Sequence, residues 1–161
     1  MRIEASAPFP ETSWPACAAV PGAGGEHPRG KPMAMKIEHS AWTVEDPVAV
    51  ADWYVEHLGM KVVRAGGAPA HARFLADSTG RVLLEIYNNP QVACPDYRQV
   101  DPLLIHLAFA ADDVKADCER LLAAGASALS EVSRGESGDE MCMLRDPWGF
   151  PIQVLKRAKP M

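Results

Sequence analysis

Several things are missing from this chain, and each absence narrows what it can be. No apolar run approaches the ~20 residues that a helix needs to cross a bilayer, so a membrane is not an expected partner. No cluster of Lys or Arg makes an electrostatic footprint and the net charge is −5, so nucleic acid is not an expected partner either. There is no H-E-x-x-H, no G-x-S-x-G and no phosphate-cradling loop; Gly66-Gly67 is too short and no helix start follows it. The four cysteines (Cys17, Cys94, Cys118, Cys142) are scattered, with no C-x-x-C pair, and read as reduced thiols of a cytoplasmic protein. Cys118 shares a helix face with Leu121 and Leu122, which gives it a packing role.

What is present suits one globular domain. The chain has 161 residues, 48% of them apolar and 23% charged, enough to bury a real core. Residues 1–34 differ from the rest. They hold six of the 14 prolines and four of the 12 glycines, and little periodicity. Such a composition does not offset the entropy of ordering, so a flexible tail is expected. MKIEHSAW, from Met35, would be a natural start, and an upstream mis-start of the reading frame is the second reading of this segment.

Beyond it the chain repeats. KIEHSAWTVEDPVAVADWYVEHLGM…FLADSTGRVLLEIYN answers to LLIHLAFAADDVKADCERLLAAGA…MLRDPWGFPIQVLK. His39 and His106 are 67 residues apart, and Glu85 and Gln153 are 68 apart. Within each copy the first strand carries a His, and seven residues after it an Asp caps a helix (Asp46, Asp113); Gly59 and Gly125 end those helices. Pro47 stands at the first position of the earlier helix. Short strands follow, and the last two in each copy flank a turn running from Asp to Gly over three residues (Asp77 to Gly80, Asp146 to Gly149). Strands are expected over 36–44, 61–64, 72–76 and 82–87, then over 103–110, 126–129, 141–145 and 151–156. Each copy is β-α-β-β-β, so the domain over 35–157 divides into module one (35–90), a Pro-rich linker (91–102) and module two (103–157). The fold class is α+β.

A lone His on a strand is more often a hydrogen-bonded structural residue than a ligand. Glu85, within Leu83-Leu84-Glu85-Ile86-Tyr87, is costly to bury unless paired or metal-bound. If two copies pack about a pseudo-twofold axis, equivalent positions approach one another. His39, His106 and Glu85 then make a donor set for Fe(II), Mn(II), Ni(II), Co(II) or Zn(II), with Gln153 a weak neutral fourth.

With those residues in hand the chain resembles the vicinal oxygen chelate superfamily, which includes glyoxalase I, bleomycin-binding proteins and extradiol dioxygenases. The resemblance covers about 35–157. It rests on His39 with D-P-x-x-x-x-x-W-Y and L-G-M after it, on LLEIY (83–87) and I-H-L-A-F (105–109), and on D-P-W-G-x-P-I-Q (146–153). It implies two βαβββ modules paired into an open, cup-like mixed sheet around a divalent metal held by His39, Glu85, His106 and Gln153. It further implies a homodimer acting on a small molecule with vicinal oxygens. The opening strand and helix look most like bacterial glyoxalase I, whose co-substrate is glutathione. Gln153 departs from the pattern, standing where glyoxalase I has a Glu that shuttles the substrate proton. A carboxamide cannot do that, so Glu85 becomes the catalytic candidate as base and ligand. An Fe(II) extradiol-type dioxygenase built on His39, His106 and Glu85 is the alternative. A metal-free drug-sequestering protein is another. Trp42, Phe74, Tyr87 and Phe109 are the candidate substrate-binding aromatics.

Overall fold

The structure is a computed structural model and describes residues 35–80 and 83–160. The expected tail over 1–34 lies outside the described residues. All the elements below fall within Ile37–Met161.

Module one begins with β1 (Ser40–Thr43) and α1 (Pro47–Leu58). The helix starts where it does because the Asp46 carboxylate accepts from the Val48 and Ala49 amides at 3.1 and 3.0 Å, with Pro47 as the first helical residue. It stops at Gly59, whose φ of 67° is left-handed. Then come β2 (Lys61–Ala65), β3 (Arg73–Ala76) and β4 (Leu83–Tyr87). The four strands form one mixed sheet in the order β1-β4-β3-β2, with β1 parallel to β4.

Module two repeats the plan. β5 (Leu107–Ala110) leads to α2 (Val114–Ala123), capped by Asp113 accepting from the Ala116 amide at 3.0 Å. β6 (Ser127–Ala128), β7 (Ser133–Arg134), β8 (Glu140–Arg145) and β9 (Pro151–Lys156) follow. This second sheet runs β5-β9-β8-β6, with β5 parallel to β9 and the two-residue β7 pairing with β8. The tandem βαβββ modules and their mixed open sheets match the expected α+β class.

β6 covers only Ser127–Ala128 of the expected 126–129, and the first strand of each module is also shorter than expected. Residues 36–39 and 103–106 stand outside β1 and β5 although their side chains suit a strand. The cause is register: Ser40 pairs with Leu84 and Leu107 with Ile152, close to where β4 and β9 begin, so among the described residues no strand pairs with the preceding ones. Met35, Ile37, Leu103 and Leu104 are left more than four-fifths exposed.

The modules share one core. Trp42 of β1 stacks on Phe150 at 4.6 Å and 17°. Trp53 Nε1 donates to the Ala124 carbonyl at 2.9 Å, and Tyr54 Oη to the buried Asp146 carboxylate at 2.8 Å. Asp146 Oδ1 also accepts from the amides of Trp148 and Phe150. The Asp-to-Gly turn is therefore also a junction between modules. Burial pushes the Asp146 carboxyl above its ordinary range, and these hydrogen bonds offset part of that rise. The linker is not slack. Tyr97–Gln99 form a 3-10 turn, Tyr97 Oη donates to the Thr43 carbonyl at 2.8 Å, and Arg145 donates to the carbonyls of Tyr97, Val100 and Gly149.

The cysteines correct one expectation. Cys118 on α2 and Cys142 on β8, 24 residues apart, are joined in a disulfide, while Cys94 is free. Spacing in the chain gave no sign of this, because the partners meet only when the helix lies across the sheet. Cys118 does occupy the core, as expected.

Candidate metal centre

The face of module one opposite its core carries the first pair of donors. Strand pairing sets Ala41 beside Glu85 and Glu85 beside Phe74, so these residues share a face with Thr43 and Tyr87 two positions on. His39 precedes β1 and turns to the same face. Its Nε2 is 3.1 Å from Glu85 Oε2, its ring meets Phe74 edge-on at 5.6 Å, and its Nδ1 contacts the Glu38 carboxylate. The Glu38 hydrogen bond is the largest influence raising the His39 pKa, opposed by desolvation and aided by the charges of Glu38 and Glu85. Arg64, on β2, lies over the outer side of Phe74, 5.6 Å from the ring centroid.

Module two carries the second pair. His106 sits one residue before β5, exposed, with Nδ1 at 2.8 Å from the Pro102 carbonyl. A carbonyl only accepts, so Nδ1 is the donor in that bond, and Nε2 is the ring nitrogen left for another partner. This is the arrangement by which a backbone carbonyl fixes a metal-binding imidazole. Gln153 on β9 lies beside Ala108 and Met143, with Nε2 at 3.8 Å from Met141 Sδ.

Of the four donors, His39 and Glu85 are in contact with each other. Among the described residues no three His, Cys, Asp or Glu side chains form a metal-holding group. The physical reason lies in the core described above. The modules join through α1, Trp42, Phe150 and the Asp146 turn, so both donor faces are turned outward. The same geometry sorts the aromatics. Phe74 and Tyr87 share the face of Glu85. Trp42 pairs with Ile86 and is buried, and Phe109 pairs with Val154 and packs against the core, so neither reaches a donor face.

The His39–Glu85 pair nevertheless fits a divalent ion. Two donors about 2.1 Å from a shared ion and at right angles stand roughly 3 Å apart, close to the separation of His39 Nε2 and Glu85 Oε2. The nitrogen and carboxylate donors suit the borderline divalent metals, and the free Nε2 of His106 would complete a three-donor set. Glu38, the Pro102 carbonyl and the methionines beside Gln153 escaped notice in the sequence. Only the alternation in Met141-Cys142-Met143, on the strand beside Gln153, carried a readable signal.

Comparison with known proteins agrees with this architecture. Residues 36–154 match the family described as Glyoxalase/Bleomycin resistance protein/Dioxygenase superfamily. Lactoylglutathione lyase of Escherichia coli O157:H7 is 24% identical over 128 residues, covering 76% of this chain and 93% of that protein; the Haemophilus influenzae enzyme of the same name is 26% identical over the same shares. Among solved structures, SMU.1112c superposes with a TM-score of 0.60 at 29% identity, covering 78% of this chain and 100% of that one. A glyoxalase I mutant from Zea mays gives 0.63 at 25%, covering 77% of this chain and 46% of the maize chain. A glyoxalase family protein from Bacillus cereus, 16% identical with a TM-score of 0.68 over 83% of this chain and 99% of its own, shares the fold. With a family match across both modules, the chain belongs to the Glyoxalase/Bleomycin resistance protein/Dioxygenase superfamily.

Proposed function

We propose that this protein is a divalent-metal-dependent lyase or isomerase of the glyoxalase type. It acts on a small substrate with vicinal oxygens, as a homodimer. In the dimer, His39 and Glu85 of one copy meet His106 and Gln153 of the other. The reading is carried by the 3.1 Å pairing of His39 with Glu85, at positions repeated in module two by His106 and Gln153. Its distant likeness to the two lactoylglutathione lyases supports the same class and suggests glutathione as co-substrate.

When bound, the metal supplies Lewis acidity that favours an enolate at the substrate oxygens. Glu85 takes the proton from a substrate carbon and returns it to the neighbouring one. Gln153 has no titrating group and serves through its carboxamide oxygen. Phe74 and Tyr87 flank the substrate and limit water near Glu85. Arg64, held over Phe74, offers a cation to an anionic part of the substrate.

Metal analysis and thermal shifts with several divalent ions test the metal; turnover of Glu85→Gln tests the base. Metal-dependent stabilisation and a loss of at least about a hundredfold in turnover are expected, from the usual worth of a general base. Full turnover in Glu85→Gln refutes the role of Glu85, and an absence of metal-induced stabilisation refutes the metal site. The neutral Gln153, which leaves His39, His106 and Glu85 as an Fe(II)-type triad, favours a dioxygenase as the second reading. Oxygen uptake with a catechol after anaerobic iron loading separates the two.

A further inference from the structure

Module two carries a second reactive feature on the face of β8 turned away from Gln153. The Cys118–Cys142 bond lies at a groove of about 640 Å³ formed by α2, β6, the following loop and β8. Leu122, Leu129, Val132 and Leu144 give the groove apolar walls, and the Lys115–Glu119 ion pair, at 3.9 Å, marks its rim. A disulfide sealed in a packed core is out of reach of other thiols, because exchange requires a thiolate to arrive at one of the sulfurs. Here the groove supplies the route. Both cysteines line the groove and are nearly buried, and Cys118, at 5% exposure against 1% for Cys142, is the less covered of the two.

The groove is also coupled to the donor face of the module. Cys142 stands between Met141 and Met143, whose side chains alternate to the opposite side of β8, where Gln153 lies. The loop lining the groove is tied to the same strand. The amides of Leu129 and Ser130 donate to the Met143 carbonyl at 2.9 and 3.1 Å, and the Met143 amide donates to Ser130 Oγ at 3.0 Å. Anything lodged between α2 and that loop pushes on the backbone of the residue paired with Gln153.

We propose that Cys118 and Cys142 form a reversible thiolation site for low-molecular-weight thiols. A thiolate enters the groove and attacks Cys118 Sγ. The Cys118–Cys142 bond breaks, a mixed disulfide forms on Cys118, and Cys142 leaves as the thiolate. A second thiol attacks the mixed disulfide, releasing the small disulfide and leaving two protein thiols. In reverse, the Cys118 thiolate attacks a small disulfide, and Cys142 displaces the bound thiol to close the protein bond. The adduct occupies the groove and loosens the loop over 129–132 from β8. This inference does not depend on the metal reading.

The experiment uses the full chain, natively folded, equilibrated with 2-mercaptoethanol and its disulfide at a series of ratios. Samples are acid-quenched, alkylated and read by intact and peptide mass. In the wild type, the Cys118–Cys142 bond is expected to open and close with the thiol-to-disulfide ratio. In Cys142→Ala, which lacks the resolving thiol, the Cys118 peptide is expected to carry one adduct, counted apart from any on Cys17 or Cys94; Cys118→Ala should take up at least about tenfold less on Cys142. Hydrogen exchange at the Leu129, Ser130 and Met143 amides should rise about tenfold or more in the Cys118 adduct, since local opening sets their protection. A wild-type bond that resists excess thiol in the folded protein overturns the proposal even if both variants fail to fold. So does an adduct spread equally over Cys94, or unchanged exchange at those three amides.

Discussion

Mixing two inactive variants tests whether the donor pairs are completed between chains. His39 is about one-third exposed at its side chain and His106 is exposed, so replacing either with Ala should change stability by no more than about 0.5 kcal/mol. Each variant alone lacks one imidazole in every site and should lose turnover. In a twofold-symmetric dimer the pair from module one of one copy faces the pair from module two of the other. A heterodimer of His39→Ala with His106→Ala then has one site missing both imidazoles and one site that is wholly native. Random reassortment at equal amounts makes half of the dimers mixed, so activity should return to about one quarter of wild type per total chain. The recovery should follow a symmetric bell as the ratio is varied and vanish at both ends. Steady-state turnover after co-refolding, with the mixed dimer confirmed by native mass spectrometry, measures it. If the four donors closed within one chain, neither chain of a mixed dimer would hold a complete set. An absence of recovery in a proven heterodimer would therefore falsify the shared site.

Three further outcomes are expected. Gln153→Glu should bind divalent metal more tightly, seen as a larger thermal shift at fixed metal concentration; an equal or smaller shift removes Gln153 from the donor set. Asp146 gives a pH signature: its folded pKa lies above the ordinary 3.8, so its contribution to stability is full below that value and is lost as pH rises through its own pKa. Denaturation at several pH values should show the stability of wild type relative to Asp146→Asn falling across that window, and a rising difference contradicts the assignment. Gly149→Ala should cost about 2–4 kcal/mol, from the left-handed φ of 94° and a new Cβ placed 2.9 Å from the Arg98 amide nitrogen. Its denaturant midpoint should drop at constant m-value; a midpoint within error of wild type shows that linker and turn can move apart freely.

Local chemistry made much of the fold readable. Asp46, Pro47 and Gly59 act on their own neighbours, so helix α1 could be placed from sequence within a residue or two, and Asp113 did the same for α2. Alternation likewise separates Glu85 and Tyr87 from Leu84 and Ile86 before any partner strand is known. What could not be read depends on which faces meet. Trp42 looks like a ring for substrate until Phe150 stacks on it, and Cys118 and Cys142 look unrelated until α2 crosses β8. The same holds for the donors. Duplication showed that His39 and Glu85 have counterparts in His106 and Gln153, but equivalent positions meet only if the modules pack on their donor faces. The large aromatic side chains near Asp146 take the other faces, and that preference is set by long-range packing that no short motif encodes.

The neutral residue at position 153 bears on the chemistry as well as on affinity. A divalent ion held by two imidazoles, one carboxylate and one carboxamide carries one more positive charge than an ion held with two carboxylates. A unit charge about 4 Å away in a site of effective dielectric near 20 is worth roughly 4 kcal/mol before screening. Relative to a two-carboxylate site, the proposed site would therefore be better at holding an oxyanion and poorer at generating one, since Glu85 would have to both ligate and accept the proton. A carboxylate that also ligates would be a weaker base, so on the proposed reading proton abstraction would depend on an acidic substrate C–H. That favours substrates whose carbanion is already stabilised by an adjacent carbonyl, the chemistry that vicinal oxygens provide. On the same proposal Phe74 and Tyr87 would contribute by excluding water, which would preserve the electrostatic gain that a single carboxylate leaves uncancelled.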